Sequence, residues 1–162
     1  MDAQQECLIC DRISQIEAGT NPYFVAELET GYVVVGDFQF FRGYTLFLCK
    51  QHVGELHDLE VSTKLLFLKE MSEVAEAVYR GFQPRKLNYE LLGNSEPHLH
   101  WHFFPRYDSD PTRGPVWQVD KAIRYTENAR PNSEELFALK NILLVELTRT
   151  VPTDSIKRLF EQ

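Results

Sequence analysis

The chain has 162 residues, of which 43% are hydrophobic and 25% are charged. This length accommodates one ordinary domain, and the balanced composition excludes a disordered chain or a disulfide-rich scaffold. The net charge of −7, with no cluster of basic residues, disfavours binding to a nucleic acid polymer or to an anionic membrane. A small anionic ligand in a local pocket remains compatible with these values.

The beginning of the chain gives no sign of export. Met1–Glu6 is polar and acidic and lacks the basic and apolar regions of a signal peptide. The longest apolar stretches are far too short to span a membrane. The three cysteines, an odd number, predict reduced thiols, and together with the missing signal they predict a cytoplasmic location.

The first third of the chain predicts a short helix followed by three strands. Asp11–Ala18 has the pattern of a helix that stops at Gly19. Phe24–Leu28 and Gly31–Gly36 are rich in Val and aromatic residues and predict a hairpin. Tyr44–Cys49 predicts a third strand.

The clearest helix is predicted from Ser62 to Tyr79, with Ser62 as its N-cap and Gly81 as its stop. Apolar residues recur here every three or four positions and predict one buried face. The residues of this predicted face are Val61, Leu65, Leu68, Met71, Ala75, Val78 and Phe82.

Two more strands are predicted at Leu87–Leu92 and His98–Phe104, joined by a turn at Gly93-Asn94-Ser95. A loop is predicted at Asp108–Pro115, where Asp, Ser, Pro and Gly are concentrated. The early strands are joined by loops too short for parallel crossovers, so we predict an α+β fold with a mainly antiparallel sheet.

The last part of the chain predicts a long helix, capped by Asn132 or Ser133 and extending to Leu147. Pro152 ends it, and Ser155–Phe160 predicts one or two further helical turns. We therefore expect a single domain over residues 1–162, with a C-terminal helical extension at about 116–162.

The most informative segment alternates three histidines with apolar residues. In a strand, His98, His100 and His102 share one face, while Leu99 and Trp101 point to the other. Imidazoles two residues apart lie about 7 Å apart, which discourages simultaneous protonation. This arrangement favours either a metal site or a nucleophile flanked by hydrogen-bond donors.

Cys7 and Cys10 form a C-x-x-C pair, which is either half of a zinc site or a redox pair. Redox pairs usually accompany a parallel βαβ unit, which is not predicted here. A closed zinc site needs two further ligands, and His52 with one histidine of the alternating segment could supply them. Cys49 is predicted to be a buried, inert thiol and His57 a solvated histidine.

The segment His98–Arg106 resembles the signature of the histidine-triad (HIT) family. Cys7–Cys10 resembles the opening of its zinc-bearing members, and Asp37–Val53 resembles its stretch from an acidic residue to a Lys-x-His-Val motif. Gly93-Asn94-Ser95 corresponds to its Gly-Gln-Ser turn, with Asn in place of the commoner Gln. Tyr44 stands where many members have His. The resemblance covers about residues 7 to 107.

The resemblance implies a five-stranded antiparallel sheet, a homodimer, and transfer or hydrolysis of nucleoside phosphates through a nucleotidyl-histidine intermediate. His100 would be the nucleophile, and His102 would contact the phosphate oxygens. One structural zinc ion would be bound by Cys7, Cys10, His52 and His98. Asp37 would contact the ribose, and Asn88, Asn94 and Ser95 would lie near the phosphate.

We therefore expect a nucleotide hydrolase or transferase acting at the α-phosphate of a phosphoramidate, an aminoacyl adenylate or a dinucleoside polyphosphate. One alternative is a phosphorylase or nucleotidyltransferase of the same fold. Another is a zinc-stabilised nucleotide-binding module without turnover, against which the presence of His100 argues, since a binder needs no nucleophile there.

Overall fold

The computed structural model describes residues 7–161; Met1–Glu6, where no signal peptide is expected, lies outside the described residues. None of the helices within that range combines the length and the apolar character needed to cross a membrane. The helices and strands are, in chain order, α1 Leu8–Glu17, β1 Phe24–Leu28, β2 Gly31–Val35, β3 Thr45–Cys49, α2 Val61–Phe82, β4 Lys86–Glu90, β5 His100–Arg106, α3 Lys121–Arg124, α4 Ser133–Thr150 and β6 Ile156–Leu159.

The strands form one antiparallel sheet in the order β4-β5-β3-β2-β1-β6. The predicted α+β class with an antiparallel sheet is confirmed, although the sheet has six strands and not five. The prediction of helical turns at Ser155–Phe160 is wrong, because this segment forms β6 and pairs with β1. Without β6, β1 would be an edge strand with an unpaired row of N–H and C=O groups, and β6 supplies hydrogen-bond partners for that row. Phe160 continues the pairing by donating its N–H to the carbonyl of Val25.

The two faces of the sheet have different surroundings. α2 and α4 pack against one another and cover one face. On that side the Phe47 ring of β3 stacks on Phe67 of α2, with 5.0 Å between the ring centroids. Because side chains alternate along a strand, Leu46 and His102 point to the opposite face. The histidines of β5 therefore lie on the sheet face that the long helices leave uncovered.

The buried face of α2 differs from the predicted one at its beginning. Val61 and Leu65 are 60% and 62% exposed, whereas Phe67 and Val74 are fully buried. Glu70 is also fully buried, and its carboxylate accepts hydrogen bonds from the N–H groups of Glu29 and Thr30 and from the Thr30 hydroxyl. A search for apolar periodicity does not assign a glutamate to the buried face. The predicted face is therefore rotated relative to the observed one, which includes Glu70.

The caps of the two long helices were predicted with mixed success. Glu60 caps α2, where Ser62 was predicted, because the helix begins at Val61 and the Glu60 carboxylate accepts from the N–H groups of Ser62 and Thr63. α2 also continues past Gly81 to Phe82, and its C-cap residue Gln83 adopts the left-handed conformation with φ of 47° before a proline. Asn132 caps α4 as predicted, in a reciprocal capping box with Glu135.

Candidate functional site

The beginning of α1, the segment after β3 and the approach to β5 bring together the side chains of Cys7, Cys10, His52 and His98. Their four ligand atoms lie within 4.8 Å of one another. Cys10 Sγ lies 3.1 Å from His52 Nδ1 and 3.4 Å from His98 Nδ1, and Cys7 Sγ lies 3.5 Å from His98 Nδ1. In a tetrahedral zinc site, sulfur and nitrogen ligands are about 3.6 Å apart, as the usual metal–ligand bond lengths require.

The hydrogen bond of His98 prepares it to bind a metal ion. Its Nε2 donates to the carbonyl of Cys49 at 2.8 Å, which leaves the lone pair on Nδ1, facing the two sulfur atoms. Burial lowers the pKa of His98 and so favours the neutral form that a metal requires. Burial and the neighbouring Cys7 raise the pKa of Cys10 to about 11, so a cation is needed to hold the thiolate.

All three thiols of the chain are free, so Cys7 and Cys10 are both available as ligands. A Cys₂His₂ set satisfies the four positions that Zn²⁺ prefers and leaves none for a substrate. The cluster therefore fits one structural Zn²⁺ per chain, as predicted. This ion would join α1 to the segment after β3 and to the segment that leads into β5.

The register of the sheet defines the surroundings of the other two histidines. His102 lies opposite Leu46 and His100 lies opposite Leu48, all on the face that α2 and α4 do not cover. β5 begins at His100, two residues later than predicted, because His98 turns into the metal cluster. The ring centroids of His100 and His102 are 4.6 Å apart.

His100 is held by a single hydrogen bond to the backbone. Its Nδ1 lies 2.5 Å from the carbonyl oxygen of His98. Because a carbonyl oxygen can only accept, Nδ1 carries a proton, and in the neutral ring the lone pair is on Nε2. His100 is 6% exposed, and burial lowers its pKa, so the ring is neutral near pH 7.

His102 has a side-chain partner that sequence analysis noted only as a departure from the usual family pattern. Its Nδ1 lies 2.7 Å from the hydroxyl of Tyr44, whose ring stacks on Phe104 at 4.2 Å. Gly36 makes room for this ring, since a Cβ there would lie 2.1 Å from a Tyr44 ring carbon. Burial, with a smaller contribution from His100, lowers the pKa of His102 to about 3. Burial also raises the pKa of Tyr44, so its hydroxyl stays protonated.

A cavity of about 250 Å³ lies on the same sheet face, next to these histidines. Leu46, Leu48 and Tyr44 line it, as does Asp37. Arg12 of α1 forms a two-pronged ion pair with the Asp37 carboxylate and fixes its position in the cavity wall. A larger cavity of about 600 Å³ lies between the loop after β2 and the beginning of α4, and no histidine of β5 lines it.

In the part of the chain that the structure describes, none of the remaining predicted site residues forms a hydrogen bond or ion pair with His100 or His102. Asn94 and Ser95 are exposed on the loop before β5, and within residues 7–161 neither side chain has a hydrogen bond. Asn88 lies opposite Phe104, and its amide oxygen accepts from Arg106 at 2.9 Å. The residue of β4 that lies opposite His102 is Glu90. Sequence analysis missed Glu90, although its position two residues after Asn88 in a strand was a usable signal.

The sequence is similar to a known protein family and to a curated protein of that kind. The HIT domain matches residues 21–109, which is more than half of the chain. The protein hit of Bacillus subtilis (strain 168) is 27% identical over 125 residues, covering 74% of this chain and 83% of that protein.

Solved structures of histidine-triad proteins share the fold. One, from Marinobacter aquaeolei VT8, aligns with a TM-score of 0.65 and 25% identity, covering 80% of this chain and 92% of that one. A Zn-bound histidine-triad protein from Mycobacterium smegmatis aligns with a TM-score of 0.62 and 21% identity, covering 91% of this chain and 96% of its own. With His100 and His102 on one strand, His98 just before it, and the family match over residues 21–109, the chain belongs to the HIT domain family.

Proposed function

We propose that this protein cleaves the bond between the α-phosphate of a nucleoside phosphate derivative and its leaving group, through a covalent intermediate on His100. The observation that carries this proposal is the hydrogen bond from Nδ1 of His100 to the carbonyl of His98. It leaves Nε2 unprotonated in a neutral ring, which is the form of imidazole that acts as a nucleophile.

In the proposed reaction, Nε2 of His100 attacks the α-phosphorus while the bond to the leaving group breaks. The leaving group departs with the electron pair, and the nucleotide is held as a phosphoramidate on His100. Water then attacks the phosphorus, and the bond between phosphorus and Nε2 breaks with its electron pair returning to the ring. The attacking water gives up a proton to solvent, so the products are the nucleoside monophosphate and the neutral imidazole. A hydrolase uses water in this second step, and a transferase uses another acceptor.

The charge that develops on the phosphoryl oxygens needs preorganised donors. With the Tyr44 hydroxyl donating to Nδ1 of His102, the proton of that ring is on Nε2, from which it can be donated to a phosphoryl oxygen. Asn94 and Ser95 lie on the loop before β5, whose exposed side chains are free to contact a bound phosphate. These three residues are the proposed phosphate ligands.

The proposed site of the nucleoside is the cavity of about 250 Å³ beside Tyr44. Asp37 is the proposed ribose ligand, because a carboxylate held by Arg12 still has lone pairs for sugar hydroxyls. Asn88 is proposed to act near the phosphate through its amide nitrogen, since its oxygen is occupied by Arg106. The four zinc ligands would hold His98, and thereby the carbonyl that orients His100.

The proposal also covers the cellular setting and the extent of the domain. Three free thiols and a Cys₂His₂ metal site are compatible with a reducing, cytoplasmic compartment. One sheet includes strands from both ends of the described chain, which supports a single domain.

A turnover assay with adenosine 5′-phosphoramidate tests the proposed function. We expect release of AMP by the purified protein, and an added phosphate ion should leave the product unchanged. Formation of ADP in the presence of phosphate would instead identify a phosphorylase. Tight binding of AMP without any turnover of this substrate or of a dinucleoside polyphosphate would contradict catalysis and favour a binding module.

We propose a homodimer in which α2 and β4 form the interface. β4 is at the end of the sheet, and Leu65, Tyr89 and Leu92 are each about half exposed or more. Light scattering should therefore report about twice the chain mass of 18.9 kDa at micromolar concentration. Replacing Leu65 by Glu should shift the mass towards the monomer, and the matched change at Val145, also exposed but on α4, should not. A mass near that of one chain for the unmodified protein would rule out a stable dimer.

A further inference from the structure

Arg124, the last residue of α3, is a buried cation without a counter-ion. It is 8% exposed, and its enclosed Nε has no hydrogen-bond partner. Across residues 7–161 its guanidinium makes neither a hydrogen bond nor an ion pair, and its one defined contact is with the Tyr125 ring, 5.2 Å away. A buried charge of this kind costs free energy unless an anion accompanies it.

The position of Arg124 relates it to the triad. Burial raises the pKa of Tyr44, the partner of His102, and the pKa of Glu90, the residue opposite His102; the nearby Arg124 charge partly offsets both shifts. The next residue, Tyr125, lines the cavity that contains Asp37. Arg124 therefore lies near His102 and beside the wall of that cavity.

The order of side chains across the sheet gives a direction to a bound substrate. Val34 of β2, Leu46 of β3, His102 of β5 and Glu90 of β4 are successive cross-strand neighbours on one face. The cavity lies over Val34 and Leu46. If the nucleoside occupies that cavity and the α-phosphate lies at the histidines, the leaving group extends towards β4. Glu90 of β4 is the residue there that the charge of Arg124 affects.

We propose that Arg124 binds an anionic leaving group attached to the α-phosphate, such as a further phosphate, and so selects substrates of this charge class. The inference rests on the proposed function, because it uses the same site. When the P–O bond breaks, the leaving oxygen takes the electron pair and becomes more negative, and the guanidinium offsets that charge. The half-buried Glu90 nearby would otherwise repel such a group.

Arg124 lies outside the HIT match of residues 21–109, so the selecting residue comes from the part of the chain that follows the matched domain. Burial of the unpaired Arg124 lowers the stability of the ligand-free protein, and such a local cost is typical of functional groups in binding sites. The chain would thus combine a nucleotidyl-transfer site with a separate residue, Arg124, that selects substrates by the charge of their leaving group.

The test compares two substrates that share the adenosine α-phosphate: adenosine 5′-phosphoramidate, with a neutral leaving amine, and diadenosine triphosphate, with an anionic one. We expect Arg124→Met to lower the ratio of kcat/KM for the triphosphate to kcat/KM for the phosphoramidate by roughly 10- to 100-fold. Arg124→Lys should restore part of this ratio. The matched control is Arg113→Met, an exposed arginine of the same region whose ion-pair partner is Asp108.

Calorimetric binding of AMP and ADP keeps the test independent of turnover. In the unmodified protein ADP should bind more tightly than AMP, and Arg124→Met should remove most of the difference while the melting temperature stays the same or rises. If neither substrate is turned over, the proposed function fails, yet this binding comparison still tests Arg124. An unchanged selectivity ratio, equal losses for AMP and ADP, or a fall in melting temperature with the preference for ADP retained would overturn the assignment.

Discussion

Turnover of adenosine 5′-phosphoramidate should fall by at least about 10⁴-fold when His100 is replaced by alanine, because the proposed nucleophile is then missing. Binding of AMP should change by less than about tenfold, since the cavity and the other proposed ligands remain. His102→Ala should cost roughly 10²- to 10³-fold in kcat, which is typical for the loss of one transition-state donor. Steady-state kinetics and calorimetry on the three proteins measure these effects.

The covalent intermediate can be observed directly. A histidine phosphoramidate is labile in acid and stable in base, so a substrate labelled at the α-phosphate should leave label on the protein after a basic quench. His100→Ala should retain none, and His57→Ala, a change at an exposed histidine, should label like the unmodified protein. Activity of His100→Ala within tenfold of the parent, or an unlabelled parent protein, would mean that water attacks the phosphorus directly.

Loss of the metal should destabilise the protein more than it alters the chemistry. A ligand present at a thousand times its Kd stabilises the folded state by about 4 kcal/mol. For a domain of this size that corresponds to a fall in melting temperature of about 10 °C. We expect this fall for Cys7→Ser, together with loss of zinc from one equivalent per chain, measured by elemental analysis and thermal unfolding.

Cys49→Ala is the matched control, because Cys49 is buried and free but does not belong to the cluster. It should keep one zinc ion per chain and lose much less stability. Cys7→Ser should also weaken nucleotide binding, since α1 carries both Cys10 and the Arg12 that holds Asp37. Protein purified without chelator that contains far less than one equivalent of metal, with Cys7 and Cys10 joined by a disulfide, would refute the zinc site.

Sequence was most informative where a repeating pattern and the chemistry agreed. The alternation of the histidines predicted a strand that places His100 and His102 on one sheet face, although the strand begins at His100 and not at His98. The C-x-x-C pair and His52 predicted a cluster whose four ligand atoms the fold does bring together. The alternating histidines are a local pattern, and the C-x-x-C pair has the spacing that is typical of metal sites.

Sequence failed where a distant partner determined the outcome. β6 forms by pairing with the free edge of β1, and the sequence of Ile156–Leu159 alone does not predict that pairing. The buried face of α2 is displaced because Glu70 binds the turn between β1 and β2. At the site, the relation of Tyr44 to His102 and the burial of Arg124 depend on packing between segments that no local pattern connects.

The pairing of β1 with β6 has a consequence for the order of folding. The first and last strands of the described chain are neighbours in the sheet, so their union closes a loop that contains nearly the entire domain. Contacts between residues so remote in sequence slow the search for the native state, because the entropy of loop closure is lost before any pairing is gained. The hairpin of β1 and β2 can form early, but the backbone groups on the other edge of β1 stay unpaired until β6 has formed. During that interval an unpaired strand is exposed to other chains, and crowded refolding should produce aggregates that nucleate there.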